Sequence, residues 1–152
     1  MNKVTIIAPH ADDEIIGCWE LLTLGLVESV LFISEQAMEE AIPSSEYFGF
    51  NIGMADGTFN YGKTFLFPDP TYELHPEHRR LGMLGEEVLR AEGKVVFYST
   101  NMSAPYIHEV TAPLNKLSAL NNLYPKKASL WAYDHKYYLF EGYTKWIMKW
   151  DD

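Results

Sequence analysis

Cysteine is almost absent. Cys18 stands alone among 152 residues, so no intramolecular disulfide can form, and a reducing, cytoplasmic setting is expected. Positive charge is scarce as well. Twelve lysines and arginines face 21 acids, a formal net charge of −9, and the only arginines are Arg79, Arg80 and Arg90. A duplex-binding face needs clustered cations to neutralise phosphates, so no double-stranded nucleic acid is expected as a partner. A small, anionic or nucleotide-linked substrate held in a local site is still compatible with that charge. No apolar run approaches the roughly 20 residues that cross a bilayer. Met1-Asn2-Lys3 leads straight into strand-like residues without a signal-peptide pattern, so no membrane association is expected. Repeats, low-complexity tracts and linkers are missing, and so is the Gly-x-Gly-x-x-Gly phosphate loop.

What is present is ordinary globular material: 47% apolar and 22% charged residues, enough for one domain over residues 1–152 with a real core. Val4 to Ala8, Ser29 to Ile33, the TFLFPDP stretch and KVVFYS read as short strands, and YIHEVT as another. Helical spacing runs through Asp12 to Leu26. It returns in Pro76 to Glu92, where Leu81, Leu84, Val88 and Leu89 share a face, and in Pro113 to Leu123. Residues 35 to 49 read as a broken helix. MADGTFNYGK reads as turns around Asp56-Gly57 and Tyr61-Gly62, and Tyr138 to Trp150 as an aromatic C-terminal helix. Strands that alternate with helices predict an α/β fold, a Rossmann-like three-layer sandwich with a mainly parallel sheet.

Two segments are not explained by folding alone. IIAPHADDEIIG, residues 6 to 17, packs Asp12, Asp13 and Glu14 together behind His10 at the end of the first strand. Open α/β sheets bind ligands outside the C-terminal ends of their strands. One imidazole and three carboxylates there repel phosphate and attract a cation, and His and Asp suit a borderline metal such as zinc. The second segment, LHPEHRRLG, residues 74 to 82, brackets Pro76 and Glu77 between His75 and His78. Pro76 belongs at the first position of a helix, so this cluster also sits at a strand-to-helix junction. Two junctions on one sheet edge can face each other and leave a metal position open, the mark of a catalytic rather than a structural site.

PHADDEIIG resembles the Pro-His-Pro-Asp-Asp-Glu signature of the PIG-L/LmbE family of zinc-dependent N-deacetylases, and HPEH resembles that family's His-Pro-Asp-His motif. GFNIGMADGTF and PLNKLSALNNL are similar to later stretches of the family. The resemblance implies Zn2+ held by His10, Asp13 and His78, with Asp12 as general base. It also implies that His75 stabilises the oxyanion or protonates the leaving amine. The implied substrate is an N-acetylated amino sugar or similar small polar N-acyl molecule, sugar- or nucleotide-linked. Ala11 stands where the family has proline, and Glu77 where it has the aspartate that orients the first histidine. SEQAMEEAIPSSEYF lacks the arginine that commonly grips substrate, which makes Asp56 the candidate for a sugar hydroxyl. Asp56-Gly57 is more often a plain turn than a substrate contact. Glu14 is read as a residue that ties the loop to the helix start, Cys18 as packed, and His108 and His135 as outside any motif. The competing reading is a noncatalytic metal-binding or protein-interaction module on the same fold. Asp12 separates the two, because an acid beyond the ligand set is needed only for turnover.

Overall fold

In a computed structural model of the chain, which describes residues 3–59 and 62–144, the β-branched and aromatic runs pair into a single sheet. The strands are β1 (Val4–Ala8), β2 (Val27–Phe32), β3 (Asn51–Met54), β4 (Thr64–Pro68), β5 (Lys94–Ser99), β6 (Tyr106–Glu109) and β7 (Phe140–Tyr143). The helices are α1 (Asp13–Thr23), α2 (Glu35–Glu40), α3 (Ile42–Phe48), α4 (Pro76–Arg90), α5 (Pro113–Leu123), α6 (Ala128–Tyr133) and α7 (Lys136–Leu139). The sheet order is β3-β2-β1-β4-β5-β7-β6. The first five strands are parallel, and β7 runs antiparallel to both β5 and β6. This is the three-layer α/β sandwich that the alternation predicts. Among the described residues no helix is long and apolar enough to cross a membrane.

Side chains alternate across the central strands, and the two faces bury different clusters. Val4, Ile6 and Ala8 of β1 join Leu66, Val96 and Tyr98 under α1, α2, α5 and α6. Ile7 points the other way, into Phe65, Phe67, Val95 and Phe97, under Leu81 and Val88 of α4. Leu89 stays exposed, so the buried face of α4 is narrower than its leucine spacing suggests. Helix α4 presses closely on the sheet because Gly85 lacks a side chain. A Cβ there would lie 2.7 Å from the Phe67 ring and 2.8 Å from Phe97. The order of the strands fixes where a ligand can sit. The chain leaves β1 in one direction and returns to its other side as β4, so the topological switch point lies between the C-terminal ends of β1 and β4.

Two expectations need correcting. Tyr138 does not begin a helix: α7 ends at Leu139, and Phe140–Tyr143 becomes a strand. Glu141, Gly142 and Tyr143 are buried between neighbouring strands, and pairing with β5 and β6 outweighs helical spacing of the aromatics. The remainder of that segment, Trp146 and Trp150 included, lies outside the described residues, as does Tyr61. Strand β3 is not among the strands read from the sequence, and only its last residue, Met54, belongs to the stretch read as turns. The strand is four residues long with a glycine inside, so it carries almost no strand signal of its own and depends on pairing with β2.

Candidate active site

Both singled-out segments arrive at the switch point. His10 to Asp12 form the turn between β1 and α1, and Asp13 opens α1. His75 caps α4: its Nδ1 accepts from the Glu77 N–H at 3.1 Å, Pro76 follows, and His78 is buried in the first turn. The three imidazoles form a triangle with ring centroids 5.1 to 5.4 Å apart. His10 Nδ1 lies 3.3 Å and His78 Nε2 3.2 Å from Asp13 Oδ2. One ligand atom from each of His10, Asp13 and His78 falls within 4.8 Å of the others.

The opposite nitrogen of each ring is held from behind. Glu77 Oε2 lies 3.0 Å from His10 Nε2, and Glu73 Oε1 lies 3.3 Å from His78 Nδ1. A carboxylate behind each imidazole, fixing its tautomer and direction, is the usual support of a metal-ligating histidine. The donor set therefore fits a divalent ion such as zinc. A second combination, His10, His75 and Glu77, is also close enough. It is more exposed and would consume the Glu77 carboxylate that supports His10.

Electrostatics follow from this packing. Burial works to lower the His78 pKa, but the hydrogen bond and charge of Asp13, with those of Glu73, outweigh it and raise it to about 10. His10 is raised too, chiefly by its hydrogen bond to Asp13. Burial would raise Asp13, yet the bonds to His10 and His78 hold it well below the carboxylate range. Asp12 goes the other way. Burial and the neighbouring Asp13 charge push it well above that range, and Lys127 opposes them. Adjacent acids thus have opposite tendencies.

Asp12 is backbone-strained. Its φ is 112°, a region that non-glycine residues avoid and that clusters at functional sites. Its side chain makes no cap bond to α1, and its N–H donates to Glu14 Oε1 at 2.9 Å. Glu14 is fully buried, and its Oε2 accepts from the Tyr124 hydroxyl. Glu14 therefore ties the loop to the end of α5.

The cavity over the cluster measures about 490 Å³, within the usual range for small-molecule sites. His10, Asp12, Asp13, His75 and His78 form one wall, and Lys126, Lys127, Ser129 and Tyr137 another. Asp56 is not among the residues lining it. Strand β3 sits at the sheet edge with β2 between it and β1, and the Asp56 carboxylate is spent locally on the Thr58 N–H and hydroxyl at 3.0 and 2.6 Å.

Sequence reasoning missed Glu73, Thr100 and Lys127. Glu73 is 2% exposed and accepts from the Thr100 N–H at 2.8 Å, which aims it from the end of β5 toward His78. An acid five residues before His78 was the available signal. Lys127 had none, since 116 residues separate it from Ala11, whose carbonyl it binds. No protein-family model, no curated protein and no solved structure matches the chain.

Proposed function

We propose that this chain is a zinc-dependent N-deacetylase of the PIG-L/LmbE kind, acting on an N-acetylated amino sugar or a similar small polar N-acyl substrate. The observation that carries the proposal is Asp12. It is a buried carboxylate beside the His10, Asp13 and His78 set, outside that set, lining the same cavity on strained backbone. A binding module has no use for such a residue, whereas hydrolysis needs a base.

His10, Asp13 and His78 would hold the zinc, which when bound would supply polarisation of the amide carbonyl and acidification of water. Asp12 takes the proton of the attacking water as the new C–O bond forms. His75 Nε2 is left free by the Nδ1 bond to Glu77. It donates a hydrogen bond to the charge growing on the carbonyl oxygen, while Asp12 passes the proton it took from water to the amine as the C–N bond breaks. Acetate and a free amine result. The walls hold the substrate: hydroxyls of Ser129 and Tyr137 and the Lys126 ammonium replace the missing arginine as polar grips. A reducing compartment such as the cytoplasm belongs to the same proposal, supported by the single, buried and unpaired Cys18.

Metal analysis and acetate release settle the matter together. The purified protein should hold about one zinc per chain and release acetate from one or more of a panel of acetylated amino sugars and nucleotide sugars. Asp12→Asn should keep the zinc and lose about 10²–10⁴-fold in kcat. A zinc-loaded parent inactive on the whole panel would return the chain to the noncatalytic alternative.

A further inference from the structure

We infer that Lys127 is a positioning residue for the reaction, clamping the β1–α1 loop so that the Asp12 carboxylate stays aimed across the cavity. The inference rests on the hydrolase reading for its catalytic half only. Lys127 ends the 3₁₀ turn Pro125–Lys127 between α5 and α6. Its Nζ donates to the Ala11 carbonyl, lies 3.9 Å from Asp12 Oδ2 and 3.6 Å from Glu40 Oε2 of α2, and sits 5.8 Å from the Tyr124 ring centroid. One ammonium therefore joins α2, the acid loop and the segment after α5.

The loop needs such a clamp. Asp12 has φ 112°, and nothing in its own side chain caps the helix it precedes. A residue in that region persists only where its surroundings over-determine it. Two restraints meet here. Glu14 holds the Asp12 N–H, and Lys127 holds the carbonyl of the preceding residue. They hold the two polar atoms of the single peptide plane that enters Asp12, and so fix one side of its φ rotation, with the carboxylate beside the ammonium. Lys126, next in the chain, lines the same cavity but has no described hydrogen bond or ion pair. The two lysines are thus differently employed, one facing the open cavity and one spent on the loop. Lys127 touches none of the proposed metal ligands, so its loss should leave zinc in place.

The test compares Lys127→Met, Lys127→Arg and the parent, with thermal unfolding to confirm that each is folded. Two readouts are used. In the zinc-free proteins, amide hydrogen exchange at Asp12 should quicken by about tenfold in Lys127→Met and return toward the parent in Lys127→Arg. In the zinc-loaded proteins, Lys127→Met should lose up to about 10²-fold in kcat through misplacement of the base. KM should stay within about twofold, zinc content should be unchanged, and Lys127→Arg should recover much of the rate. Unchanged Asp12 exchange in a folded Lys127→Met protein overturns the clamp, whatever the activity. Quickened exchange with kcat intact overturns the positioning role. A parent without acetate release overturns the hydrolase reading instead, and exchange alone then decides whether Lys127 holds the loop.

Discussion

The stretch of α1 from Asp13 to its kink at Cys18 buries charge at both ends, for different purposes. At its start, Asp12 and Asp13 line an open cavity beside His10, His75 and His78. One turn further on, the helix breaks at Cys18 (φ −136°, ψ 29°). Lys116 Nζ donates to the Ile16 carbonyl at 2.8 Å, and the Tyr143 hydroxyl lies 3.0 Å from that of Gly17. Glu141 sits 3.5 Å from Lys116 and 3.2 Å from the Tyr143 hydroxyl. All three side chains are within 1% of full burial. Gly17 also lets the Tyr98 ring approach, since a Cβ there would come within 2.5 Å of it. In the sealed network the polar groups are spent on one another and on carbonyls freed by the kink, so it serves as a mount. At the open end, ring nitrogens and a carboxylate converge on space, and that makes a candidate site. Buried charge alone does not point to function; an arrangement with an accessible, unfinished side does.

The comparison can be broken most forcefully at the mount. Lys116→Met should cost about 3 kcal/mol in urea unfolding, because Glu141 loses its buried partner, while zinc stoichiometry stays at the parent's value. Loss of zinc there would mean that the two ends are one unit. Glu73→Gln probes the opposite end. It should weaken zinc binding by about 10–100-fold through the loosened His78 ring, with little change in folding. An unchanged affinity, measured by competition with a chelator, would remove Glu73 from the metal's support.

Proton linkage separates the ends by pH window. Glu141 is raised by burial from 4.5 to about 7. Its stabilising contribution is whole below pH 4.5 and is lost as pH rises through 7. His78 in the metal-free chain is raised from 6.5 to about 10, so its contribution is whole below pH 6.5 and is lost as pH rises through 10. Each bound proton can give a slope of up to about 1.4 kcal/mol per pH unit. In chelator-treated protein, Glu141→Gln should flatten the lower window and His78→Ala the upper one. Added zinc should flatten the upper window alone, since it takes the place of the proton on His78. The smallest effect is expected at Asp56. Held in its own turn by Thr58, it should shift KM by no more than about twofold when changed to Ala. A tenfold rise would bring it to the substrate after all.

What could be seen in the sequence was what is local. The His10 to Glu14 and His75 to His78 clusters each occupy a single strand-to-helix turn, so spacing and the rule of C-terminal strand ends suffice to place them on one sheet edge. The central parallel strands were legible for the same reason. What escaped depends on partners distant along the chain. Glu73 becomes meaningful only when Thr100, just after β5, turns it toward His78. Lys127 matters only once the end of α5 lies over the first loop, and Phe140–Tyr143 is a strand only because β5 and β6 leave a slot for it. Asp56 had a suggestive motif context beside its turn reading, and strand order puts it at the edge, away from the lining of the cavity.

The positive φ of Asp12 has a consequence for anyone who evolves this protein in the laboratory. Glycine accepts that backbone without steric cost, so selection for heat resistance alone should favour Asp12→Gly, which relieves the turn and at the same stroke removes the carboxylate. Durability and turnover would then be traded against each other at one codon. A library screened without a catalytic filter would drift toward sturdier, silent molecules.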